Sequence, residues 1–106
     1  MKFDLEERTE KLAESIIFMV KKIKLNLINS RIISQLIGSS GSIGVNYCEA
    51  IESESKKDFI HKMGISKKEI KETLHWLKLL SCAEEQIIDE SKRLYTETRE
   101  LLLNVN

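Results

Sequence analysis

A chain of 106 residues with 42% hydrophobic and 32% charged residues is sized for one domain, with a modest core that needs neither disulfides nor metal. That balance excludes intrinsic disorder, and the formal net charge of zero gives the chain as a whole no electrostatic preference for nucleic acid or anionic lipid. Proline is absent, aromatics make only 6%, and Glu, Lys, Leu and Ile dominate, so the expected class is all-α.

The first predicted helix covers about residues 4–24. Leu5, Leu12, Ile16, Met19 or Val20, and Ile23 recur on one face of a 3.6-residue period. Asp4 is the candidate N-cap, and Lys21, Lys22 and Lys24 are placed to favour a helix C-terminus. The start, MKFDLEERTE, is too charged for a secretory h-region, and no apolar run approaches the roughly 18 residues of a membrane span. The expectation is a cytoplasmic protein with no membrane partner. Cys48 and Cys82 form no CxxC and are expected as reduced thiols, buried or half-buried.

A second helix is predicted over about 30–53, with Asn29 or Ser30 as the cap. It contains IGSSGSIG (37–44), whose composition suggests a loop or linker. Ile33, Leu36 or Ile37, Ser40, Ile43, Tyr47 and Ile51 nevertheless hold the helical phase straight through it, where a linker would break it. Each interior glycine costs roughly 1 kcal/mol against alanine. Gly38, Gly41 and Gly44 are therefore expected to form a packing seam, a thin strip where another helix backbone approaches. A phosphate-binding loop is a poor fit, because no strand precedes the stretch and the Lys-Ser/Thr of a Walker motif is missing.

The third helix is predicted over about 56–81. Ser55 and Asp58 have capping-box spacing, and Phe59, Met63, Ser66, Ile70, Leu74, Leu77 and Leu80 or Ser81 form the apolar face. Residues 82–86 read as a turn. The fourth helix, about 87–104, presents Ile87 or Ile88, Ser91, Leu94, Thr98, Leu101 and Val105. Four such segments joined by short connections predict a single domain over 1–106, an antiparallel up-down-up-down four-helix bundle.

Charge is unevenly spread. Residues 55–81 hold seven lysines (Lys56, Lys57, Lys62, Lys67, Lys68, Lys71 and Lys78) against three acids, while 82–106 hold six acids against three bases. These seven lysines are the candidate nucleic-acid-binding set, with Arg8 and Arg31 as weaker additions. Ser42, Asn46 and Glu49 lie at i, i+4 and i+7 on helix 2, and Ser66 and Glu69 add polar groups on helix 3. They read either as a ligand or carboxylate site, or as a hydrogen-bonded network fixing register or an interface; the second reading is adopted. Glu72 and His75 have the Glu-x-x-His spacing of carboxylate-bridged metal bundles, but no second copy exists. His61 is 14 residues from His75, about 21 Å along a helix. No metal or cofactor is expected and no enzymatic activity, with a small metalloprotein or hydrolase using Glu69, Glu72 and His75 kept as an alternative. Tyr47 and Trp76 read as core or interface anchors ahead of base-stacking platforms.

The stretches SGSIGVNYCEA (40–50), ESKKDFIHKMGIS (54–66) and KEIKETLHWLKLL (68–80) resemble the 23S rRNA intervening-sequence family, which is related to the accessory proteins of diversity-generating retroelements. Ser42, Asn46, Glu49, Asp58, Phe59, Ser66 and Glu69 carry the resemblance together and in order. It implies a four-helix bundle assembled as a homopentamer and, for retroelement members, binding to nucleic acid and to a reverse transcriptase. A purely structural protein–protein module is the alternative. Close relatives tend to carry arginine where this chain has Gly38 and Cys48, so two cations of the family pattern are missing.

Overall fold

Four helices follow one another in the computed structural model, which describes the backbone of residues 2–105 and the side chains of residues 5–105. They are α1 (Lys2–Val20), α2 (Asn29–Ile51), α3 (Lys56–Ala83) and α4 (Ile88–Val105), with a short 3-10 turn, Glu85–Ile87, leading into α4. Each packs on the next in sequence and α1 closes against α4, the neighbour pattern of an up-down-up-down bundle. The molecule measures 44 × 24 × 18 Å. Among the described residues there is no strand, and no helix is long and apolar enough to cross a membrane.

One core runs the length of the bundle. Leu12, Ile16, Met19, Leu36, Ile43, Ile70, Leu77, Leu80, Leu94 and Leu101 are all almost fully buried within it. The apolar stripe of α4 is buried at every position from Ile87 to Val105 where the period places a residue. In α2 the stripe ends on Ala50 and leaves Ile51 exposed; in α3, Phe59 is exposed while Thr73 is buried.

The glycine-containing stretch is continuous helix, with no residue leaving the right-handed region. Its expected role as a seam is corrected in part. A Cβ at Gly44 would lie 2.9 Å from Thr9 Oγ1 of α1, so the missing side chain there lets the two helices meet. Cβ atoms at Gly38 and Gly41 would meet nothing within 4 Å. Two of the three glycines thus face outward and pack against no part of the chain.

The end of α1 also departs from expectation. The helix stops at Val20, and Lys22 N and Ile23 N donate to carbonyls three residues back, at 3.3 and 3.0 Å. The chain tightens out of the α-helix there, yet Ile23 stays buried, which is why its periodicity extended the predicted helix to residue 24. Lys21, Lys22 and Lys24 lie just beyond the helix. Asp4 falls inside the first turn, and its side chain lies outside the described residues.

The cap of α2 is built by two asparagines. Asn26 Oδ1 accepts from Ile28 N and Asn29 N (2.9 and 2.8 Å), and Asn29 Oδ1 accepts in return from Asn26 N (2.9 Å). This is the reciprocal logic of a capping box with asparagine in place of glutamate. The fully buried Asn29 also donates to Lys24 O (3.0 Å) and to Glu84 Oε2 (2.7 Å), tying the α1–α2 connection to the end of α3. That bond, then one from Gln86, holds the Glu84 carboxyl below the usual glutamate range.

Asn29→Ala is expected to lower stability by about 2 kcal/mol, through the lost cap and the orphaned Lys24 carbonyl. Because the Glu84 pKa is depressed in the folded state, its contribution is complete above the unfolded value of about 4.3 and is lost as pH falls through the folded value. Urea titrations of wild type and variant should therefore show a gap at pH 7 that narrows below about pH 4. A gap independent of pH would remove the Glu84 bond from the account.

Candidate functional site

An α-helix turns 100° per residue, so the lysines of α3 can be placed around its axis. Lys56, Lys57, Lys67, Lys68, Lys71 and Lys78 fall within an arc of about 120°. Ser66, Ile70, Thr73, Leu77 and Leu80, the buried positions of α3, lie on the opposite side. Six of the seven predicted lysines therefore share one outward face that runs about 33 Å from Lys56 to Lys78. Lys56, Lys57, Lys67 and Lys71 make no ion pair among the described residues; Lys68 Nζ is 4.0 Å from Glu69, and Lys78 stands over the Tyr95 ring at 5.7 Å.

Lys62 is the seventh and points elsewhere. Its ammonium donates to Glu49 of α2 at 2.7 Å, and that bond raises its pKa. Arg8 is likewise engaged: its guanidinium holds Glu97 at 3.1 Å and Glu100 at 3.3 Å, joining α1 to α4. Arg31 is exposed on α2, a different helix from the one that carries the lysine face. The structure thus brings six lysines together on α3, engages Lys62 and Arg8 in ion pairs elsewhere, and carries Arg31 on another helix.

The polar line of α2 works at the α2–α3 boundary. Asn46 Nδ2 donates to the Ser42 carbonyl at 2.8 Å, Glu49 takes the Lys62 pair, and buried Ser66 donates to the Ile43 carbonyl at 3.0 Å. Thr73 Oγ1, which the sequence reading passed over, lies 3.0 Å from Ser39 Oγ and donates to the Glu69 carbonyl at 2.8 Å. Among the described residues no buried side-chain polar atom lacks a partner. Small hydroxyls satisfied in this way let two backbones approach without leaving an unpaired group in the core.

Glu69 is partly buried, and burial followed by the nearby Glu72 charge raises its pKa. His75 is exposed and meets Trp76 edge-on at 4.8 Å, while Trp76 packs against the core. Among the described residues no three His, Cys, Asp or Glu side chains stand together so as to hold a metal ion. Tyr47 is buried in the core. Cys48 is half-buried, and its thiol, pushed up by burial and by the hydrogen bond to Glu6 (3.4 Å), resists forming the reactive thiolate. Cys82 is exposed, against the expectation of burial.

A second surface feature was not visible in the sequence. Between α1 and α2 lies an open groove of about 500 Å³, lined by Ala13, Ile17, Gly41, Gly44 and Val45 and edged by glutamates. Only the distance between the two helices reveals it.

Comparison with known proteins gives one consistent answer. A crystal structure from Bacteroides thetaiotaomicron VPI-5482, described as a protein of unknown function from the S23 ribosomal protein family, superimposes with a TM-score of 0.82 at 28% identity, covering 95% of this chain and 94% of that one. No curated protein matches. The family model described as 23S rRNA-intervening sequence protein matches residues 1–105, nearly the whole sequence and all four helices. The chain belongs to the 23S rRNA-intervening sequence protein family.

Proposed function

We propose that the protein is a non-enzymatic, oligomeric scaffold that engages nucleic acid through the outer face of α3, alongside a protein partner such as a reverse transcriptase. The supporting observation is the six-lysine face, opposite the core and largely free of internal ion pairs. Its length of about 33 Å is close to one helical turn of duplex, so it can follow a phosphate backbone. Assembly as a homopentamer, which the family resemblance implies, would repeat that face around a ring and concentrate positive potential locally, although the net charge stays at zero.

The experiment is fluorescence anisotropy of labelled 30-mers, single- and double-stranded RNA and DNA, against the full-length protein, with its solution mass measured in parallel. Saturable binding at 50 mM salt that weakens steeply by 200 mM is the expected result. Absence of binding at the lower salt by the intact assembly would remove the reading.

One observation favours a protein-only role as the alternative. Phe18, Leu25, Leu27 and Ile28 crowd the α1–α2 connection and are 63–97% exposed, an apolar tip suited to a protein contact. A pull-down that recovers a protein partner from nuclease-treated extract, together with no nucleic-acid binding, would select it.

A further inference from the structure

The groove between α1 and α2 has a chemistry opposite to that of the lysine face. Glu10 and Glu14 stand one turn apart on α1 along its edge and have no ion-pair partner among the described residues. Glu6 and Glu49 extend the acidic rim, engaged by Cys48 and Lys62 respectively. The floor is small or apolar, and at Gly41 nothing lies within 4 Å of the absent side chain. Glycine inside a helix disfavours that helix, and the fold itself offers Gly41 no contact in return. A thin floor between acidic edges suits an incoming helix backbone, which small residues allow to approach closely.

We propose that this groove docks an amphipathic helix of a protein partner, one with a central line of small or apolar residues flanked by rows of lysine or arginine. The argument for that occupant is charge complementarity over the roughly 16 Å from Glu6 to Ile17, about three helical turns. Among the chain's own helices α3 comes nearest: Ile60 and Gly64 lie between lysines on its outer face, but Lys67, Lys71 and Lys78 occupy the centre of that face from there on, and the α4 region carries excess negative charge. A second copy seated through α3 is the competing occupant, and solution mass tests it. The proposal is independent of nucleic-acid binding, which uses a different face.

The test uses an 18-residue amidated peptide with an alanine–leucine line between two lysine rows, and a peptide of the same composition in scrambled order. Anisotropy against the full-length protein should give saturable binding by the first and at least tenfold weaker binding by the second. Gly41→Leu fills the groove from an open position, and Glu10→Lys with Glu14→Lys reverses its edge; each should weaken the patterned peptide at least tenfold with circular dichroism unchanged, and Gly41→Leu, which alters no charge, should also leave nucleic-acid binding unchanged. Equal binding of both peptides, or full binding by Gly41→Leu, would overturn the proposal. So would a fall in solution mass caused by Gly41→Leu, since that would show the groove covered by a second copy of the chain. Loss of nucleic-acid binding alone would count against the α3 reading and leave this one standing.

Discussion

Gly44→Ala is expected to destabilise the protein while Gly38→Ala and Gly41→Ala stabilise it, although all three remove a glycine from the same helix. Helix propensity alone favours alanine by up to about 1 kcal/mol at each site. At Gly38 and Gly41 the new methyl meets open space, so that gain is realised. At Gly44 it meets Thr9 Oγ1 at 2.9 Å and Thr9 Cβ at 3.4 Å. Thr9 is only 2% exposed, its hydroxyl is fixed by donating to the Glu6 carbonyl at 2.8 Å, and a β-branched side chain has few rotamers to retreat into. Overpacking of this kind costs about 1–3 kcal/mol, which outweighs the propensity gain. With each kcal/mol worth about 4–8 °C in a domain of this size, the melting temperature should fall for Gly44→Ala and rise by a few degrees for the other two. Combining Thr9→Ala with Gly44→Ala should recover part of the loss, a coupling that a double-mutant cycle reads directly. Equal melting temperatures for the three alanine variants would mean that α1 and α2 do not depend on contact at Gly44.

That contrast shows where sequence reading stops. The four helices were legible because each apolar stripe repeats without a break, most cleanly in α4 from Ile87 to Val105. Continuity through residues 37–44 was also legible, since Ile33, Ser40, Ile43 and Tyr47 keep their phase across the glycines. Which glycine touches a neighbour was not, because that depends on how close α1 stands, a quantity no single-helix pattern contains. Thr73 escaped notice for a related reason: its hydroxyl is satisfied by the Glu69 carbonyl of its own helix, and the Ser39 it lies against belongs to another helix. The Asn26–Asn29 cap left a readable signal, two asparagines three apart before an apolar run, but the box pattern is defined by glutamate or glutamine, not asparagine, three residues after the cap. The lysine face follows from angular spacing alone. Lys62 falls outside it by the same spacing, but the ion pairs that engage Lys62 and Arg8 are not readable that way, because their carboxylate partners lie 13 and 89 residues away.

The same distinction makes the nucleic-acid reading sharp enough to fail. Lys56, Lys57, Lys67 and Lys71 carry no internal ion pair among the described residues, so replacing all four with glutamine should leave stability within about 1 kcal/mol of wild type. If each meets one phosphate, the slope of log affinity against log salt should fall by about 3–4 for duplex and a little less for single strands. Affinity at 50 mM salt should drop at least 100-fold, because low salt is where released counterions contribute most to binding. Lys62→Gln is the matched control. It also removes a lysine from α3, but one that points away from the shared face and already neutralises Glu49 at 2.7 Å. Its binding curve and salt slope should match wild type. Arg8→Gln should behave likewise in binding, with a small stability loss from the broken link to Glu97 and Glu100. A Lys62→Gln effect as large per residue as that of the four face lysines would show that total charge, not the α3 face, attracts the polyanion, and the face would lose its claim as a site.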